Sequence, residues 1–205
     1  MSQGVRRHDL WLHPRDENLE VHTVDGVGVV SVARALVRVA LTAGRDFAVV
    51  AGDAALHRGL VTEEELLDEV ARVTPHQGRR RALEAVLQMD GKAESVGESR
   101  TRLVFHDLGF TYESQFHVLG DDGAVVARTD FLVEGVIVEF DGRVKYRAEG
   151  EDASAILWME KRREDAIRRR GYPVERVIWS DLERPGLLGA RIRTAKALVR
   201  DPGAA

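Results

Sequence analysis

Cysteine is absent from the 205 residues. That absence excludes a disulfide framework, a thiolate zinc site, a thiol nucleophile and an iron–sulfur cluster. Long apolar runs are missing too, none approaching the ~18 residues that a membrane span needs. The opening segment, residues 1–17, lacks the apolar stretch of a signal peptide, so a cytoplasmic protein is expected. Aromatic residues make up only 6% of the chain, against 44% hydrophobic and 31% charged. That composition suits one large domain, or two small ones sharing a core.

Positive charge is in short supply overall, the net charge being −4. Such a balance argues weakly against nucleic acid, but it is unevenly spread. Residues 1–142 carry 15 Lys and Arg against 24 Asp and Glu, whereas residues 143–200 carry 15 against 9. The basic excess near the C-terminus is either a face able to meet phosphate or a set of solvated helix surfaces.

The first half reads as mainly helical. Short strand-like segments at Asp9–His13 and Leu19–Val24 precede a turn at Asp25-Gly26. Ser31 then caps a helix over Val32–Leu41, with Val32, Leu36, Val39 and Ala40 on one face. Further helices are predicted at Phe47–His57, from the Thr62-Glu63-Glu64-Glu65 capping box to Val73, and from Gln77 to Met89. A polar boundary at Asp90-Gly91-Lys92 separates residues 1–92 from a second unit over 93–200, with a frayed tail at 201–205. The second unit reads as a helix (Ser95–Asp107), strands at Tyr112–Leu119, Ala124–Val133 and Val136–Asp141, a helix (Ala153–Arg170), a strand (Val174–Trp179) and a last helix (Leu187–Val199). The order α-β-β-β-α-β-α predicts an α+β fold, a mixed sheet flanked by helices.

The informative stretch runs from Arg128 to Gly142. With Glu134-Gly135 as a two-residue hairpin turn, Val133 faces Val136, Phe131 faces Val138 and Thr129 faces Phe140, giving an apolar side. The other side pairs Leu132 with Ile137, Asp130 with Glu139 and Arg128 with Asp141. Two ionised carboxylates about 5 Å apart repel by roughly 3 kcal/mol at an effective dielectric near 20. A divalent cation, a shared proton or a nearby Arg or Lys would offset that, and acids on a solvent-facing hairpin are also ordinary. Hard oxygen donors converging from two strands suit Mg²⁺. Arg128 can also serve simply as a salt-bridge partner of Asp141.

Glu98 has two readings. Ser95-Val96-Gly97-Glu98 matches a capping box, which accounts for Glu98 alone; otherwise it turns toward the hairpin as a further ligand. Gln115, on the adjoining strand, is a candidate contact to substrate or water, and His117 on the same face is an acid–base candidate.

These residues resemble the core of the PD-(D/E)XK nuclease superfamily, and within it the DUF559 group related to very-short-patch mismatch-repair endonucleases. The resemblance covers about residues 93–183: Ala93-Glu94-Ser95 and Glu98-Ser99-Arg100, Gln115, Asp130-Phe131, Val138-Glu139-Phe140-Asp141-Gly142, Lys145-Tyr146, Arg163-Glu164 and Val177–Leu182. The first half, notably Val24–Leu41 and Val49–Leu66, resembles the helical region that precedes such domains in actinobacterial AbiE-type antitoxin proteins. The resemblance implies a restriction-endonuclease-like core that hydrolyses DNA phosphodiester bonds with Mg²⁺ or Mn²⁺. It implies Asp130, Glu139 and Glu98 as metal ligands, the Phe140 carbonyl as a further one, and Asp141 and Lys145 as further catalytic positions. Gln115, Arg143, Arg162 and Arg163 are the expected nucleic-acid contacts. One departure stands out: the family's lysine position is occupied by Asp141, with Lys145 the nearest displaced cation. The alternative expectation is therefore a DNA-binding, antitoxin-like regulator that keeps the fold without turnover. The helical half is the expected surface for a protein partner.

Overall fold

A computed structural model describes residues 5–7, 10–12, 20–74, 76–142 and 151–199. Two small antiparallel hairpins open the chain: β1 (Val5–Arg7) with β2 (Leu10–Leu12), and β3 (His22–Val24) with β4 (Val27–Val29). The Asp25-Gly26 turn between β3 and β4 has both residues at positive φ, 50° and 78°. That turn is legible in the residues, whereas the return strand β4 has three residues, too few to show a period.

Four helices follow: α1 (Val32–Thr42), α2 (Arg45–His57), α3 (Glu63–Ala71) and α4 (His76–Val86). Ser31 caps α1 by accepting the Arg34 amide at 3.2 Å. Thr62 and Glu65 form the expected reciprocal capping box at the start of α3. The buried stripe of α1 is Ala33, Leu36, Val37 and Ala40. It is rotated from the expected face, leaving Val32 exposed. These residues join Val49, Leu66 and Val86 in one apolar core.

The second unit has the predicted element order, with one extra helical turn. Helix α5 (Val96–Asp107) leads to β5 (Tyr112–Leu119), β6 (Val125–Val133) and β7 (Val136–Phe140); α6 (Glu151–Arg169) crosses to β8 (Val174–Val177). A single turn, α7 (Trp179–Leu182), and α8 (Pro185–Lys196) follow. The sheet order is β5-β6-β7-β8, antiparallel except for the β7–β8 pair. The fold is therefore α+β with a mixed sheet. One sheet face packs Phe131, Val136 and Val138 against Phe105 of α5 and Leu188 and Ile192 of α8. The other packs Val118 and Ile137 against Ile167 of α6.

The predicted boundary at 90–92 is a turn stitched to both halves. Asp53 of α2 is 1% exposed; it receives Arg102 of α5 at 2.8 and 2.9 Å and the Asp90 amide at 2.7 Å. Asp90 in turn accepts Ser114 of β5 at 3.0 Å. A buried aspartate is tolerable only when such partners meet its charge. The tail at 201–205 lies outside the described residues.

Candidate functional site

The site is built where the β6–β7 hairpin stops pairing regularly. Glu134 and Gly135 adopt φ 48° and 91°, the two left-handed residues of a type I′ turn. The ladder then runs Val133–Val136, Leu132–Ile137 and Phe131–Val138, the predicted register. Alternation would next pair the Phe140 amide with the Thr129 carbonyl. That amide instead donates to the Asp130 carboxylate, at 2.7 Å from Oδ2. The Asp130 side chain has inserted itself into the ladder.

Strand β5 breaks at the same level. It pairs Ser114 with Phe131 and Phe116 with Thr129, so Gln115 stands opposite Asp130, outside the regular ladder. Gln115 has φ 57°, in a region that is sparsely populated by non-glycine residues. The kink changes the side the strand presents. Tyr112 packs in the α5/α8 cluster whereas Phe116, four residues on, packs in the α6 cluster. A regular strand would put both on one face.

From α5, Glu98 closes the site. It is 8% exposed and accepts Ser95 Oγ at 2.8 Å, the Glu94 amide at 3.0 Å and Gln115 Nε2 at 3.0 Å. Glu98 thus turns back on the cap, through Ser95 Oγ and the Glu94 amide rather than the Ser95 amide, and its negative charge helps to raise Asp130. Gly97 makes this approach feasible, since a Cβ there would fall 1.9 Å from the Phe140 ring.

Burial pushes Asp130 up to about 6, and the charges of Glu98 and Glu139 push the same way; the Phe140 amide and Arg163 offset part of the rise. Arg163 of α6 brings a positive charge to the cluster. Its guanidinium spans both oxygens of Glu139, with Nη1–Oε2 at 3.3 Å and Nη2 closer on Oε1. It also donates to the Arg128 carbonyl at 3.0 Å and to Glu160 at 3.3 Å. The hydrogen bond to Glu139 holds this guanidinium in its charged form.

The remaining sequence candidates are placed as follows. The Asp141 amide bonds the Val177 carbonyl at 2.8 Å, continuing the β7–β8 edge. Arg128 ion-pairs with Glu94, and His117 lies opposite Arg128 on β5. Arg162 sits over the exposed Trp158 ring, 4.7 Å from its centroid. Arg143 and Lys145 lie outside the described residues.

The donor set is all carboxylate oxygen, which suits a hard divalent cation in kind. Among the described residues, no three His, Asp or Glu side chains converge as a preformed metal cage. Glu139 carries Arg163, and Glu98 carries three hydrogen-bond donors. Asp130 in turn holds the Phe140 amide.

Sequence reasoning named each of these acids but missed the backbone at Gln115. Nothing in the residue type signals it, because glutamine has no particular preference for a left-handed conformation. No protein-family model, curated protein or solved structure matches the chain. Among the described residues, no helix is long and apolar enough to cross a membrane.

Proposed function

We propose that the chain is a metal-dependent, endonuclease-like protein that hydrolyses DNA phosphodiester bonds in the cytoplasm. The observation that carries this reading is the gathering of Glu98, Asp130 and Glu139 where the β6–β7 ladder opens. Three acids from α5, β6 and β7 lie close enough for Glu98 and Glu139 to help lift Asp130 to about 6, at the level where the ladder opens. Acids crowded together at the cost of mutual repulsion point to a cationic ligand. Asp130 and Glu139 would hold Mg²⁺ or Mn²⁺, which supplies Lewis-acid polarisation of a phosphate and an activated water. The chain's own part is positioning. Phe140 fixes Asp130, Ser95 and Gln115 fix Glu98, and the exposed Lys161, Arg162 and Arg169 of α6 meet the DNA backbone.

A specific observation favours a second reading. The double contact of Arg163 with Glu139, together with Asp141 in place of the lysine, also describes a DNA-binding regulator without turnover, its helical half docking a protein partner. Nicking of supercoiled plasmid in Mg²⁺ or Mn²⁺ decides between them. Cleavage by the wild-type chain that Asp130→Asn abolishes supports the enzyme. DNA binding without cleavage in either metal establishes the regulator.

A further inference from the structure

We propose that Arg163 is an exchangeable counter-ion: it neutralises Glu139 in the free protein and transfers to a substrate phosphodiester, so that the cation site is completed only when DNA is in place. This rests on the nuclease reading above and goes beyond it by coupling metal binding to substrate.

Several observations on Arg163 converge. Its guanidinium spans both Glu139 oxygens, and its charge also offsets part of the repulsion at Asp130. Its side chain remains 30% exposed while that of Glu139 is 13% exposed, so the pair has one face open to an incoming ligand. A guanidinium fork matches two phosphate oxygens as well as two carboxylate oxygens, which makes the transfer an exchange between equivalent partners. The same two guanidinium nitrogens also donate to Glu160 and to the Arg128 carbonyl, so the fork already shares its donors between Glu139 and neighbouring acceptors beside the opening where a phosphate would enter. At the end of β7 the chain carries Asp141, an acid that supplies no positive charge to a phosphate there. The exchange also accounts for the lack of a preformed cage among the described residues. While Arg163 sits on Glu139, cation and guanidinium compete for the same oxygens, and a phosphate that takes the guanidinium releases them.

Competition gives a sign that ordinary damage to a site would not give. Removing a group that merely supports Glu139 should weaken metal binding, whereas removing a competitor should tighten it. The experiment measures Mn²⁺ affinity by calorimetric titration of the full chain. Wild type, Arg163→Gln, Arg163→Lys and Arg162→Gln are compared, each alone and with a short duplex carrying non-hydrolysable phosphorothioate linkages. Circular dichroism and thermal melts confirm that each variant is folded. Arg162→Gln removes a neighbouring charge that touches Trp158 rather than Glu139, and it controls for bulk electrostatics.

The expected result is that Arg163→Gln alone binds Mn²⁺ about tenfold tighter than wild type, with Arg163→Lys between them. The duplex should tighten Mn²⁺ binding by wild type by a similar factor and leave Arg163→Gln nearly unchanged, because coupling between two ligands is reciprocal. Plasmid nicking by Arg163→Gln should fall despite the tighter metal. Equal or weaker Mn²⁺ binding by Arg163→Gln overturns the exchange, as does an equal gain in Arg162→Gln; in either case wild-type nicking would leave the nuclease reading standing. Absence of both Mn²⁺ binding and nicking in the wild type, with or without duplex, overturns the exchange and the nuclease reading together.

Discussion

The Phe140 backbone amide bonds the carboxylate of Asp130 at 2.7 Å, where a continued antiparallel ladder would give it to Thr129. This exchange of a carbonyl for a side chain ends the regular pairing of β6 with β7. It also leaves Asp130 in a half-buried position beside Glu98 and Glu139.

That position has a pH consequence. Asp130 ionises near 6 in the folded chain, above the ordinary 3.8, because burial and two neighbouring acids oppose its charge. The folded state thus binds the proton more tightly than the unfolded state. The stabilisation from a protonated Asp130 is full below about pH 4 and is lost as pH rises to about 6. At pH 7 the ionised group is a net cost. Asp130→Asn keeps an oxygen for the Phe140 amide and should stabilise the fold at pH 7 by about 1 kcal/mol, or about 2–4 °C. The gain should vanish at pH 4. Thermal melts of both proteins at the two pH values check this.

Asp53 and Arg102 give a prediction of opposite sign. Both are nearly inaccessible, at 1% and 4% exposure. Asp53→Ala removes the counter-charge of Arg102 and the acceptor of the Asp90 amide. A loss of about 3–5 kcal/mol is expected, because a charge remains buried without compensation. Urea unfolding of the full chain measures it. Arg102→Met, which removes the opposite partner, should also destabilise but through Asp53.

At Gln115 two effects nearly cancel. Glycine relieves a left-handed backbone worth about 1 kcal/mol but gives up a hydrogen bond to Glu98 of about the same size. Gln115→Gly should therefore change stability by less than about 1 kcal/mol, while Gln115→Val, β-branched at positive φ, should lose about 2 kcal/mol or more. Chemical denaturation of the two variants side by side separates the backbone effect from the side-chain effect.

Gly97 tests how tightly α5 is seated. Alanine there would place a Cβ 1.9 Å from the ring of Phe140, which itself packs edge-on to Trp179 at 4.9 Å between centroids. Gly97→Ala should cost about 1–3 kcal/mol through forced repacking. It should also shift tryptophan emission as the Phe140–Trp179 contact yields. An unchanged spectrum and melt would show that the ring has space to move.

Much of this was legible in the residues, and the reasons differ by element. The β6–β7 register followed from Glu134-Gly135, because a two-residue turn fixes every pair beyond it. The caps at Ser31, Thr62 and Ser95 followed from side chains that satisfy helix amides locally. The end of the ladder at Asp130 was not legible, since period-two alternation assumes that pairing continues. The predicted Arg128–Asp141 opposition failed to anticipate Glu94, which reaches Arg128 from the connector before α5. Arg163 could be named as basic, but its partner comes from 24 residues away across the sheet, and no local pattern encodes that choice. The one-turn helix α7 is not legible, since four residues hold no helical period, and its first residue, Trp179, falls at the end of the expected strand.

Glu98 sits in the first turn of α5, where the backbone amides have no intrahelical acceptor. Its cap at Ser95 and its tie to Gln115 are therefore also what keeps the acidic cluster assembled. Because Gly97, Glu98 and Ser99 are all buried, that turn is packed as well as capped, so the assembly of the acidic cluster is tied to the seating of α5 on the sheet.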